Sequence, residues 1–197
     1  MMSTMFKRIQ TAMHKMGYTF FNHGEYNLNL VGVRSQDAYA NTFNDALYVV
    51  YLIDGVEQAM TFPMTTDPGV YWRTHPINVS GTAIVKPGQY PGLWKIGKHK
   101  NQYDALVQQR LITVFRDNDG DAELSEGIEE TGLFGINCHR ASSFTESIQV
   151  DKWSAGCQVL SNPLDFDLLM ALCHKAASIY GNSFTYTLLT EDELWGR

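Results

Sequence analysis

Read for its apolar and polar positions, the chain opens with a helical pattern. Met5, Ile9, Ala12, Met13 and Met16 recur at helical spacing, Ser3 or Thr4 stands where a cap belongs, and Gly17 can end the segment. A weak alternation over residues 26–33 reads as a strand. The run LYVVYLI at 47–53, the dipeptide Asp54-Gly55 and the segment VEQAMTF at 56–62 together predict a β-hairpin with a two-residue turn. The next fifty residues are rich in Gly and Pro and carry short apolar runs at 82–85 and 92–96, read as short strands and loops. LITVF at 111–115 is a further strand, with Asp117-Asn118-Asp119-Gly120 as its turn. A second helix is expected from Asn162 as N-cap and Pro163 at the first position to Gly181 at the C-terminal cap. Its apolar positions are Leu164, Leu168, Leu169, Leu172, Cys173, Ala176 and Ile179. FTYTLL at 184–189 closes the pattern as a strand. The fold class that follows is α+β, dominated by β structure.

Composition narrows the function classes. The 197 residues are 44% hydrophobic and 18% charged, as expected of one globular domain, with no internal repeat or linker. Net charge is −6 with no basic run, which argues against nucleic acid as a partner. No apolar stretch approaches the roughly 18 residues of a membrane span. The N-terminus lacks the apolar core and cleavage site of a signal peptide, so synthesis in the cytoplasm is expected. Three cysteines, Cys138, Cys157 and Cys173, do not make a disulfide framework.

The candidate chemistry lies between Gly135 and Leu160. His139 precedes Cys157 by eighteen residues, and Cys157 ends the tetrapeptide Ser154-Ala155-Gly156-Cys157. A thiol after a small residue and a glycine is accessible, and an imidazole folded back onto it makes a nucleophile–base pair. If residues 134–139 are extended, Phe134, Ile136 and Cys138 share the core face, while Gly135, Asn137 and His139 share the other. That excludes Cys138 as nucleophile, and Cys173 reads as a core residue on a helix. By residue type alone, the favoured reading is a buried cysteine at Cys157 and a structural histidine at His139; the surrounding sequence shifts the balance.

Two further motifs fail on inspection. Gly92-Leu93-Trp94-Lys95-Ile96-Gly97-Lys98 begins like a phosphate-binding loop, but His99 replaces the required Ser or Thr and the segment reads as a strand. Asp117, Asp119 and Asp121 resemble half a calcium loop with its glycine and closing Glu out of register, so the acidic stretch 117–130 reads as a solvated turn. The histidines show no zinc spacing, and neither metal nor cofactor is expected.

The segment of His139, Ser154, Gly156 and Cys157 resembles the catalytic motif of the L,D-transpeptidase (YkuD-like) family. Met64-Thr65-Thr66, Lys86-Pro87-Gly88-Gln89-Tyr90 and Leu160-Ser161-Asn162 are similar to other family segments. The resemblance covers residues 45–190, with the first 40 as an N-terminal addition, and the whole chain, with Trp72 and Trp153, looks like small phage- or prophage-encoded members. It implies mixed β-sheets in a sandwich, with a helix after the cysteine. It also implies a Cys157 thioester, His139 as base, and Ser154 and Gly156 in the catalytic element. The implied partner is the stem peptide of peptidoglycan, cleaved or transferred at an L,D bond after release from the cell or from a virion. Arg140, Trp153, Tyr90 and Ala155 are the expected substrate contacts. Departures stand at His139-Arg140-Ala141 for His-Gly-Thr, at Ala155 for a second His, and at Val159 for an Arg that holds substrate. Arg140 is a candidate replacement for that guanidinium. The chemistry predicts a thiol lowered by its histidine, backbone N–H groups near Gly156 and Cys157 as oxyanion donors, and Ser154, Asn137 or a backbone carbonyl orienting the imidazole. The alternatives are a virion structural or wall-binding protein with little activity, and a cysteine peptidase or amidase with a non-wall substrate.

Overall fold

The computed structural model describes residues 4–37, 41–121, 124 and 127–196. In chain order its elements are α1 (Met5–Lys15), β1 (Asn29–Arg34), β2 (Asp45–Ile53), β3 (Val56–Thr65), α2 (Val70–Thr74), β4 (Thr82–Val85), β5 (Gly88–His99) and β6 (Tyr103–Gln108). Then come β7 (Ile112–Asp117), β8 (Ile128–Gly132), β9 (Cys138–Arg140), β10 (Gln158–Leu160), α3 (Pro163–Tyr180), β11 (Phe184–Thr190) and α4 (Glu191–Trp195). Eight strands close into a barrel in the order β1-β11-β5-β6-β9-β10-β3-β2, and β4-β7-β8 form a separate three-stranded sheet. The fold is β-rich α+β, with a mixed main sheet: β1 with β11 and β9 with β10 run parallel. The expected sandwich is replaced by this closure, which is narrow at its seam: β10 meets β3 only at Met64 and Thr65, and β9 meets β6 only at Leu106.

Local signals explain most elements. Asp54 and Gly55 both take positive φ, 50° and 71°, the geometry of the tight turn that matches strand twist. The unbroken apolar run of β2 is buried on both faces. Leu47, Val49 and Tyr51 enter the barrel core, while Tyr48 and Val50 pack with Phe6, Ile9, Ala12 and Met13 of α1. Thr4 caps α1 by accepting from the Lys7 N–H at 3.2 Å. Met16, expected on the buried stripe, is exposed; Phe6 takes the buried place instead, edge-on to Phe20 at 5.2 Å. β1 pairs with β2 on one side and β11 on the other, so residues 29–34 are built into the barrel.

The helix after the cysteine segment has the expected bounds, with the Asn162 side chain accepting from Leu164 N–H at 2.9 Å. Its buried face differs. Leu164, Leu168 and Ile179 are exposed, and Phe166, Leu169, Met170, Leu172, Cys173 and Ala176 join the barrel core. Residues 92–96 belong not to a short strand but to the long β5, so the glycine–lysine segment there is extended backbone, not a phosphate-binding loop. At the acidic segment, Asp117 is buried and accepts from Arg73 Nε and Nη2 at 2.9 and 2.6 Å. Residues 122, 123, 125 and 126 of that segment lie outside the described residues.

Candidate active site

The parallel pairing of β9 and β10 puts Gln158 beside Cys138 and Val159 beside His139. Cys138 and Leu160 lie in the barrel core. By alternation Cys157 and Val159, with Asn137 and His139, face the opposite side of these two strands. Cys157 lines one cavity and His139 the one beside it, and the Cys157 thiol bonds to Gly135 O rather than to His139. Cys138 and Cys173 are fully buried in the core.

The turn carrying the thiol is held by Ser154. Its fully buried hydroxyl donates to Cys157 O at 2.8 Å and accepts from Gly156 N–H at 3.1 Å. Gly156 has φ +117°, and a Cβ there would stand 2.5 Å from Ala83 O on the second sheet, so only glycine fits. The expected role of the Gly156 N–H as an oxyanion donor is not met, because Ser154 Oγ occupies it. Ser154 is accordingly a turn-forming residue rather than an imidazole partner. The Cys157 thiol donates to Gly135 O at 3.4 Å.

Of the three candidates for orienting the imidazole, the backbone carbonyl is the one found. His139 Nδ1 lies 2.8 Å from Arg140 O. A carbonyl can only accept, so Nδ1 carries the proton and Nε2 is the free base of the neutral ring. His139 is 4% exposed. Burial, reinforced by the neighbouring His99, drives its pKa down to about 3; the bond to Arg140 O opposes this, and Lys100 adds to it. Burial raises the Cys157 thiol above its ordinary range, against smaller lowering by the Asn137 backbone and Lys100. The predicted lowering of the thiol by its histidine is therefore reversed: the resting groups are a neutral thiol and a neutral imidazole.

Two adjoining cavities flank these groups. One, of about 460 Å³, is lined by His139, Arg140, Phe144 and Trp153, and its charged side chains are Lys100, Arg140 and Lys152. The other, of about 470 Å³, is lined by Cys157, Ala155, Gly135, Asn137 and Arg116. His99 and Lys100 line both. Arg140 lies with its guanidinium 4.3 Å from the Tyr103 ring centre and 3.5 Å from Asp167. Tyr90 is not brought to the groove. It packs against the barrel core and its hydroxyl bonds to Lys86 O and Thr113 O; burial raises it to about 12.

Sequence reasoning missed His99. The residue ends β5, ahead of a turn in which Lys100 and Asn101 both take positive φ, and its ring stacks on His139 at 4.1 Å. Nothing local in the sequence marks this contact. Among the described residues no group of three or more His, Cys, Asp or Glu is placed to hold a metal ion, and no helix is long and apolar enough to cross a membrane. No family model matches the chain, and no match was found among curated proteins or solved structures.

Proposed function

We propose that this chain is a cysteine acyl-transfer enzyme of the L,D-transpeptidase type, acting on the stem peptide of peptidoglycan. The observation that carries the reading is the 2.8 Å contact from His139 Nδ1 to Arg140 O, which in the neutral ring puts the proton on Nδ1 and leaves Nε2 as the base, one cavity away from Cys157. Because thiol and imidazole rest neutral, His139 acts as general base during attack. The Cys157 sulfur bonds to the peptide carbonyl carbon as Nε2 takes its proton. With Gly156 N–H engaged, the Cys157 N–H is the candidate oxyanion donor. Collapse breaks the C–N bond, returns the proton to the leaving amine and leaves a thioester. Water then gives hydrolysis, and an incoming amine gives transfer. Lys100, Arg140 and Lys152 around one cavity suit a carboxylate-bearing peptide. Wall hydrolysis in a phage setting is the biological use we favour.

Purified protein incubated with muropeptides, beside Cys157→Ala and His139→Ala, tests this. Products from the wild type that vanish in both variants support it. Val159, buried where the family has its substrate-holding Arg, favours a second reading as a wall-binding or virion structural protein. Wall binding without turnover decides for that reading. A third outcome, turnover of other peptides but not of muropeptides, points to a non-wall peptidase.

A further inference from the structure

His99 is neither part of the cysteine motif nor assigned a role in the acyl-transfer chemistry above. It comes from β5, yet it reaches β9. Its ring lies on the His139 ring with centres 4.1 Å apart and planes 25° apart. The residue is 7% exposed, and it faces the junction of the two cavities.

Its orientation follows from a chain of hydrogen bonds. The backbone N–H of Gln108 donates to Asn137 Oδ1 at 2.9 Å, which assigns that atom as the amide oxygen. The Asn137 Nδ2 then faces His99 Nδ1 at 3.3 Å and must donate to it. His99 Nδ1 is therefore the acceptor, and in the neutral ring its proton sits on Nε2. His99 is thus held to β6 through Asn137, the residue just ahead of β9, without the help of the His139 ring.

A single hydrogen bond from His139 Nδ1 to Arg140 O fixes one point of the imidazole and leaves the ring free to rock about it. A second ring pressed against its face removes that freedom and excludes water from that side. We infer that His99 is a positioning residue for His139, holding the plane of its imidazole and with it the direction of Nε2. The inference rests on the Cys157/His139 reading for its catalytic meaning, but the physical claim concerns His139 alone. Burial and Lys100 lower His99 as well, so the stack is between two neutral rings. The other titratable groups facing His99 are Tyr103 from β6, whose ring centre is 5.6 Å away, Lys100, Arg140 and Lys152 around the first cavity, and Arg116 and Cys157 around the second.

The test is a nitrogen-15 and carbon-13 NMR titration of the histidines in the full chain, comparing wild type, His99→Phe and His99→Ala. His139→Ala assigns the resonances. The wild type is expected to show His139 protonated on Nδ1 and still neutral at pH 5. His99→Phe keeps an aromatic plane without the nitrogens and should preserve both properties. His99→Ala should raise the His139 midpoint by a unit or more and slow acylation of Cys157 by a carbapenem by about tenfold to a hundredfold. Unfolding curves confirm that each variant is folded. A His99→Ala protein with the wild-type tautomer, midpoint and acylation rate overturns the inference. So does a folded His99→Phe protein that titrates like His99→Ala. If the wild type is never acylated, the proposed function fails, and the titration alone still decides the role of His99.

Discussion

The Tyr186 hydroxyl donates to Gln158 Oε1 at 2.6 Å inside the barrel, one residue beyond the candidate nucleophile. The amide of Gln158 is then turned so that Nε2 reaches Thr66 O at 3.3 Å and Gly156 O at 3.4 Å. A polar side chain in the barrel wall thus ties β11, the end of β3 and the Cys157 turn together. Tyr186→Phe removes the donor and leaves a buried amide oxygen unpaired, at a cost of about 1–3 kcal/mol. The expected result is a lower denaturant midpoint, together with a changed rate of Cys157 alkylation as the turn loosens. A Tyr186→Phe protein as stable as the wild type would show that the amide finds another partner.

A second prediction concerns the resting state of the thiol. Burial raises Cys157 and lowers His139, so no thiolate–imidazolium pair should be stored at neutral pH. Alkylation of Cys157 by iodoacetamide should then climb with pH and reach half its limit above the roughly 8.5 of a free thiol. Cys157→Ala supplies the baseline, since Cys138 and Cys173 are fully buried. A rate plateau below pH 7 would identify a stored ion pair and refute the neutral one.

These two relationships differ in how far the sequence revealed them. The hairpin at Asp54-Gly55 and the helix from Pro163 to Tyr180 were legible because caps, turns and periodicity are local. Barrel closure was not: it depends on β1 pairing with β11 across the length of the chain. The facing of Cys138 and His139 was legible from simple alternation. The contact of His99 with His139 was not, because it requires the β5–β6 hairpin to dock on β9, where Leu106 pairs with Cys138. The raised thiol was also invisible, since it follows from burial by elements distant in the chain.

Asp45 predicts a pH dependence of stability. Its buried carboxylate accepts from Ser35 N–H, Thr66 N–H and Thr66 Oγ1 at 2.8, 2.6 and 2.8 Å. Burial, then the charge of Asp67, raises it to about 7; the Ser35 and Thr66 N–H groups and Arg34 oppose the rise. Because the folded value exceeds the unfolded one of about 3.9, the folded state holds the proton more tightly. This contribution to stability is fully present below about pH 4 and is lost as pH rises through about 7. Asp45→Asn removes the titration but points an amide NH2 at N–H donors, costing about 1–3 kcal/mol throughout. Urea midpoints measured from pH 4 to 8 should therefore fall more steeply in the wild type than in the variant. Parallel curves would show that Asp45 does not titrate in this range.

Arg140 lends itself to a sharper kinetic test. Its guanidinium lies over Tyr103 and contacts Asp167, whose side chain is 65% exposed, while it also lines the cavity beside His139. An ion pair with so exposed a carboxylate is worth little, so a substrate carboxylate can replace Asp167 at small cost. The stack on Tyr103 meanwhile keeps the planar fork in place. Arg140→Ala should raise KM about tenfold and change kcat less than about threefold, the mark of lost ground-state binding. Arg140→Lys should recover only part of the loss, because an ammonium lacks the bidentate, stacking plane. Asp167→Asn should lower KM by removing the competing carboxylate. An unchanged KM in Arg140→Ala would remove Arg140 from substrate binding and leave Lys100 and Lys152 as the cations to test next.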